Sequence, residues 1–108
     1  MEIATMLEKI ETINDLLDAY ELLLTAKQLD IISLYYREDL SYQEIADNLE
    51  ISKSAVYDTI KTVEKLLISY EEKVGYVLLN KKVNALLEKL EQLKNKEVNN
   101  FIVDYKKD

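Results

Sequence analysis

Residues 51–61, ISKSAVYDTIK, carry side chains suited to binding a nucleic acid. Lysine ammonium groups and hydroxyls bind phosphates, as do the free amides at the start of a helix. A serine can reach a base edge, and a tyrosine ring can stack on a base or touch a thymine methyl. If a helix begins after Ser52, these groups lie on its outward side. The candidate nucleic-acid-binding residues are Tyr42, Gln43, Ser52, Lys53, Ser54, Tyr57, Asp58 and Lys61.

The charge of this surface is low for a phosphate-binding protein. The chain has 21 acidic residues against 14 lysines and arginines, and its net charge is −7. Asp58 is repelled by phosphates unless it accepts a hydrogen bond from a cytosine amine. We therefore expect weak binding unless the protein dimerises. For each phosphate contacted, the affinity should fall as about the 0.9 power of the salt concentration.

Residues that commonly perform catalysis are absent or badly spaced. The chain has no cysteine and no histidine, which excludes disulfides, thiol nucleophiles, zinc fingers and histidine acid–base chemistry. The carboxylate pairs Glu38-Asp39 and Glu71-Glu72 are adjacent in sequence, so their members point in different directions on a helix. The sequence predicts no enzyme, no cofactor and no metal site.

The first helix offers a different kind of surface. Residues 1–24 contain six acids and a single lysine, Lys9. The candidate partner-binding residues are Glu8, Glu11, Asp15 and Asp18. The alternative hypothesis is therefore a protein-interaction module that docks this acidic helix on a basic partner, without contacting nucleic acid.

The N-terminus and the apolar runs indicate the cellular location. MEIATMLEKIET is acidic and lacks the positive segment of a secretory signal. The longest apolar run, Tyr76 to Leu79, has four residues, far fewer than a bilayer requires. These features predict a cytoplasmic protein with no membrane segment.

Three capping patterns locate the helices that position the candidate surface. Thr25 with Gln28 and Ser41 with Glu44 have the spacing of capping boxes, whereas Ser52 has only the capping hydroxyl. They predict helices over 26–38, 42–49 and 53–73. An amphipathic helix with one buried stripe, from Ile3 to Leu24, precedes them and is expected to end near Leu23.

The second and third of these helices form a helix-turn-helix unit. A turn of three residues, 50–52, forces them to cross at a large angle, and Ala46 allows a close approach there. The residues expected to fill the shared core are Ile45, Leu49, Ile51, Val56 and Ile60. The predicted fold is all-α, with the motif at residues 41–61.

Tyr35 and Tyr36 lie at the end of the second helix. We favour core packing with one hydroxyl at the surface over a contact surface for a partner.

The C-terminal part reads as a separate helical segment. Gly75 interrupts the long helix, so we divide the chain into a helix-turn-helix domain, 1–75, and a helical segment, 76–108. Leucines and a valine repeat in heptads from Leu79 to Leu93, a seam that needs an apolar surface to cover it. Either the first helix or a second subunit in a homodimer could cover it. Residues 95–108 are expected to add one more helical turn and a frayed tail.

Four sequence runs, LTAKQ, LYYREDLSYQEIAD, ISKSAVYDTIK and EKLL with SYEEK, occur in this order between residues 10 and 78. Because it contains these runs in this order, the chain resembles the YlxM-like family of small bacterial helix-turn-helix proteins, whose fold is similar to region 4 of sigma factors. The resemblance implies a non-enzymatic regulatory role linked to the signal recognition particle pathway. It also implies DNA, the particle RNA or the targeting GTPase as partners. The chain departs from a DNA-reading sigma-factor domain in two ways. Glu50 occupies a turn position where glycine is common, and basic residues are few.

Overall fold

The computed structural model describes residues 2–107, with side chains from residue 5 onward. Within that range the regular structure is helical throughout, which confirms the all-α prediction. The elements are α1 Glu2–Tyr20, a 3-10 turn Glu21–Leu23, α2 Ala26–Tyr36, α3 Tyr42–Leu49, α4 Lys53–Val74, α5 Tyr76–Glu91 and α6 Lys96–Lys106. They form two compact units, Met1–Gly75 and Tyr76–Asp108.

The helix starts follow the predicted capping patterns. Thr25 Oγ1 accepts a hydrogen bond from the Gln28 amide at 3.2 Å, and Gln28 Oε1 accepts one from the Thr25 amide at 3.0 Å. Ser41 and Glu44 exchange the same pair of bonds, both at 3.1 Å. These bonds satisfy amides that have no partner within the helix, so both capping boxes are confirmed.

The helix ends differ slightly from the predicted ones. α2 ends at Tyr36 rather than at residue 38, because the amides of Arg37 and Glu38 both bond to the Ser33 carbonyl. Asp39 follows with a left-handed φ of 57°, which stops the helix. α4 continues to Val74, where Gly75 takes a φ of 69°, a conformation that glycine adopts without strain.

The first unit is built around α4, which packs against α1, α2 and α3. Each large buried aliphatic side chain contributes about 1.5–3 kcal/mol through the hydrophobic effect. The buried apolar residues of this unit are Ile13, Leu16, Leu17, Tyr20, Ile31, Ile32, Tyr36, Ile45, Ala46, Val56, Ile60, Val63 and Leu67. This core fixes the direction of α4 and therefore the direction of its outward face.

The predicted buried stripe of α1 is wrong for the first half of the helix. Met6, Leu7 and Ile10 are exposed, and the side chain of Ile3 lies outside the described residues. Met6 and Ile10 border an open cleft together with Leu40. Among the side chains that the structure describes, the stripe is therefore buried only from Ile13 onward.

The second unit is a pair of helices, α5 and α6. Leu87 and Ile102 are its buried apolar residues. The expectation of one further turn after residue 95 was wrong, because α6 has 11 residues. Asn95 caps it by accepting a hydrogen bond from the Val98 amide at 3.1 Å, and Lys106 pairs with Glu91 at 2.9 Å.

The predicted heptad seam is uncovered within this unit. Leu79 and Leu86 are 61% and 57% exposed, whereas Val83 and Leu90 are half-buried. The prediction was wrong for Leu93, because α5 ends at Glu91 and Leu93 lies in the turn that follows. Among the residues that the structure describes, no helix combines the length and apolar character needed to cross a membrane.

Candidate nucleic-acid interface

The turn between α3 and α4 sets the direction of the candidate surface. The Ile51 amide donates to the Ala46 carbonyl at 3.1 Å, across Glu50, which has a left-handed φ of 55°. Ala46 is 3% exposed, as its predicted place at the helix crossing requires. Ser52 then caps α4 by accepting from the Ala55 amide at 3.1 Å. A tight turn, a small residue and a cap together form the helix-turn-helix geometry.

One side of the first two turns of α4 faces outward, while Val56 on the opposite side is buried in the core. Lys53, Ser54 and Asp58 are exposed, and Tyr57 is 46% exposed. The Ser54 hydroxyl lies 3.3 Å from that of Ser52. The Lys53 ammonium group, the two serine hydroxyls and the free amides at the helix start can meet a phosphate backbone, whereas the Asp58 carboxylate is repelled by it.

Lys61 is part of this face, but its charge is shared. Its ammonium group lies 3.4 Å from the Glu64 carboxylate and 5.4 Å from the centre of the Tyr57 ring. An ion pair and a cation–π contact hold the side chain against the protein. Lys53 is therefore the more available cation for a phosphate.

The two candidate residues on α3, Tyr42 and Gln43, differ in how far their side chains are exposed. Gln43 is exposed, and its Nε2 donates to the Asp47 carboxylate at 2.9 Å. Tyr42 is half-buried between Tyr57, at a ring distance of 5.7 Å, and Tyr35, at 5.0 Å. Burial, followed by a hydrogen bond with Tyr35, raises the pKa of Tyr42 to about 12. Tyr42 is thus an uncharged aromatic group at any physiological pH.

Four tyrosine rings form a continuous row from the outward face to the core. Tyr57 meets Tyr42 edge to face, Tyr42 stacks on Tyr35 with an interplanar angle of 23°, and Tyr35 meets Tyr36 edge to face at 5.0 Å. Tyr36 is buried and Tyr35 is half-buried, in agreement with the favoured core interpretation of this pair. The row connects the candidate interface with the interior of the first unit.

The row ends at a buried carboxylate, Glu64, which the sequence did not single out. Glu64 is 6% exposed, accepts a hydrogen bond from the Tyr36 hydroxyl, and lies 3.5 Å from Lys9 and 3.4 Å from Lys61. Burial, followed by the hydrogen bond to Glu64, raises the pKa of Tyr36 far above its ordinary value. A carboxylate that is this deeply buried needs hydrogen-bond donors and cations beside it to offset the loss of water.

The acidic residues predicted on α1 have unequal surroundings. Glu8 and Glu11 are exposed, and Asp15 is half-buried. Asp18 lies 2.8 Å from the Arg37 guanidinium, which also pairs with Glu21. Arg37 neutralises the C-terminal end of this acidic face, so its open charge lies at Glu8 and Glu11.

Comparison with known proteins agrees with the helix-turn-helix geometry. A family model described as "UPF0122: Putative helix-turn-helix protein, YlxM / p13 like" matches residues 7–107. The chain belongs to this family. The UPF0122 match extends past the resemblance between residues 10 and 78 and includes both helices of the second unit.

Curated relatives support the assignment to UPF0122. A UPF0122 protein of Exiguobacterium sibiricum is 46% identical over 87 residues, which cover 81% of this chain and 82% of the relative. A UPF0122 protein of Bacillus pumilus is 48% identical over 81% of this chain and 79% of its own length. One from Bacillus cereus is 49% identical over 85% of this chain and 84% of its own length.

Proposed function

We propose that this UPF0122 protein is a non-enzymatic regulator that binds nucleic acid weakly through the start of α4. The observation that carries the proposal is the exposed group formed by Ser52, Lys53, Ser54 and Tyr57 on a helix braced by the core. Phosphate contacts by the cap, the amides and Lys53 would position the strand, with the Tyr57 ring beside it. This is the arrangement by which a second helix of such a unit meets nucleic acid.

The electrostatics favour weak binding over tight sequence-specific repression. Lys53 is the exposed cation of this face, while Lys61 shares its charge with Glu64, and Asp58 opposes a phosphate. With few phosphates neutralised per subunit, affinity is low and falls only moderately with salt. A net charge of −7 adds general repulsion.

The resemblance to the YlxM-like family supports a setting for this activity. We place the protein in the cytoplasm, in the signal recognition particle pathway, with DNA or the particle RNA as the nucleic acid. The exposed residues of α4 do not distinguish DNA from the particle RNA.

The test is a fluorescence-anisotropy titration of the full chain with labelled particle RNA and labelled duplex DNA at ~50 mM salt, where phosphate contacts are strongest. Lys53→Glu should weaken binding at least about tenfold, because it replaces an attraction by a repulsion. Lys73→Glu is the matched control, since it makes the same charge change about 30 Å further along α4. Equal affinity of wild type and Lys53→Glu, or no binding of either nucleic acid, would remove the proposal.

A second candidate function is docking on a basic protein through α1. Glu8 and Glu11 are exposed, and the apolar side chain of Leu7 is exposed beside them. A basic partner, such as the targeting GTPase, would match this face. In a pull-down with purified GTPase in the absence of RNA, the double variant Glu8→Gln, Glu11→Gln should reduce binding. Unchanged capture would exclude this surface.

A further inference from the structure

A cleft lined by tyrosines lies at the inner end of the tyrosine row. The tyrosine cleft has a volume of about 450 Å³ and is lined by Tyr35, Tyr36 and Tyr42, with Met6 and Ile10 at the α1 side. This volume falls within the range of small-molecule sites, ~300–1,000 Å³. Aromatic side chains favour a planar ring, and stacking of a nucleobase on such a ring contributes about 1–3 kcal/mol.

Hydrogen-bond acceptors are available in the wall of this cleft. Glu64 Oε2 accepts from the Tyr36 hydroxyl and lies 3.5 Å from Lys9, while Oε1 lies 3.4 Å from Lys61. A carboxylate has about four acceptor positions, so Oε1 retains capacity for a further donor. The N–H groups on the edge of a nucleobase are donors of this kind.

A second cleft shares part of the same wall. The lysine cleft, about 410 Å³, is lined by Lys9, Lys61 and Lys65 together with the acids Glu8 and Glu64. Three cations therefore face two carboxylates. Because Lys9, Lys61 and Glu64 also line the tyrosine cleft, the two clefts are neighbours.

The charges of the two clefts are opposite in balance. In the tyrosine cleft the acids Asp39, Glu44 and Glu64 outnumber Lys9 and Lys61, which favours a ring with N–H donors over an anion. In the lysine cleft Lys9 and Lys61 share the single charge of Glu64, and Lys65 adds a third ammonium group, so this cleft favours an anion. A molecule with a donor-bearing planar ring at one end and an anionic group at the other fits both.

We infer that the two clefts together bind one nucleotide, with its base in the tyrosine cleft and its phosphate at the lysine cleft. The inference deepens the proposed function, because Tyr42 and Lys61 belong both to the tyrosine cleft and to the outward face of the helix-turn-helix unit. The base and phosphate come either from a free nucleotide or from an unpaired nucleotide of an RNA strand. A paired base in a duplex is not accessible to such a site.

A tryptophan at the edge of the tyrosine cleft is the sharpest test. Ile10 lines the cleft and is 41% exposed, so Ile10→Trp fills the space without disturbing the buried core. Leu7→Trp is the matched control, since Leu7 is an exposed apolar residue of the same helix outside the cleft lining. Met6→Trp is a second blocking variant if Ile10→Trp does not give a native circular-dichroism spectrum.

The measurement is an amide chemical-shift titration of the full chain with AMP, GMP, CMP and UMP, with inorganic phosphate and adenosine as separate arms. At least one nucleotide should bind wild type and Leu7→Trp equally, and bind at least about tenfold more weakly to Ile10→Trp. Phosphate alone should shift amides near the lysines only. No nucleotide binding, or equal binding by Ile10→Trp, would overturn the inference.

Competition separates this inference from the proposed function. An unlabelled single-stranded RNA that displaces the nucleotide identifies the strand as a source of the base. A nucleotide that binds while no strand or duplex does supports the clefts but removes the proposed function. A strand that binds wild type and Ile10→Trp alike, with no nucleotide bound, overturns the cleft inference and leaves the function of the α4 face standing.

Discussion

The hydroxyl of Tyr36 on α2 donates a hydrogen bond to the buried carboxylate of Glu64 on α4, 28 residues later in the chain. Lys9, from α1, reaches the same carboxylate at 3.5 Å. One side chain therefore joins three helices of the first unit. A buried carboxylate stabilises the fold only while its partners remain, because an unpaired buried charge is costly.

Removing the Tyr36 hydroxyl should weaken the first unit. Tyr36→Phe leaves the ring in place but takes away one donor to Glu64, so we expect the free energy of unfolding to fall by about 1–3 kcal/mol. Urea unfolding followed by circular dichroism measures this change. Tyr57→Phe is the control, because Tyr57 is half-exposed. A loss for Tyr36→Phe no larger than that for Tyr57→Phe would contradict the role of the hydrogen bond.

The same contact predicts a loss of stability at alkaline pH. An unfolded tyrosine ionises near pH ~10, whereas burial and the bond to Glu64 raise the pKa of Tyr36 in the folded protein. The stabilising contribution is complete below about pH 10. Above it, the unfolded chain releases a proton that the folded chain keeps, so stability falls by up to about 1.4 kcal/mol per pH unit.

Tyr36→Phe isolates this effect from other groups that titrate in the same range. Lysines contribute equally to both proteins, so the difference in unfolding free energy between wild type and Tyr36→Phe should shrink as the pH rises from about 9 to 11. A difference that stays constant over this range would show that the Tyr36 pKa is not raised by folding.

The strained turn before α4 offers a stabilising substitution. Glu50 adopts a left-handed φ of 55°, which costs an ordinary residue about 1–2 kcal/mol and glycine almost nothing. After the greater flexibility of glycine in the unfolded chain is subtracted, Glu50→Gly should stabilise the protein by roughly 0.5–1 kcal/mol. Thermal unfolding of Glu50→Gly and Glu50→Ala separates backbone strain from charge. If the alanine variant proves the more stable, backbone strain is not the cause.

The leucine seam of α5 predicts self-association. Leu79 and Leu86 are exposed one heptad apart on α5, and the same helix face of a second copy could cover them. We expect dimers at micromolar concentrations in sedimentation experiments, and monomers for Leu86→Gln. Val103→Gln, an exposed apolar position on α6, is the control. A wild-type monomer at every micromolar concentration would rule out a seam between subunits.

Features that depend on neighbours in sequence could be predicted. Thr25 with Gln28 and Ser41 with Glu44 are three residues apart, so their helix starts follow from local chemistry. Ala46 could be placed at the crossing because the turn after α3 is short. The cap of α6 is equally local, since Asn95 Oδ1 accepts a hydrogen bond from the Val98 amide three residues later.

Features that depend on distant residues could not be predicted. Glu64 reads as one more charge on an exposed helix until Tyr36 and Lys9 are brought to it from two other helices. For the same reason Met6 and Ile10 looked like core residues, because their spacing gives no sign of the cleft that they border. The outward residues of the candidate site could thus be predicted from the sequence, but the contacts that connect them to the interior could not.

The sharing of Glu64 by three helices has a consequence for how relatives of this chain diverge. A lineage that loses the hydroxyl at position 36 or the ammonium at position 9 leaves a buried charge less satisfied, whereas an apolar residue at position 64 removes the need for either. Positions 9, 36 and 64 should therefore change together across an alignment of relatives. Such covariation would be visible even between sequences whose outward α4 residues have diverged completely.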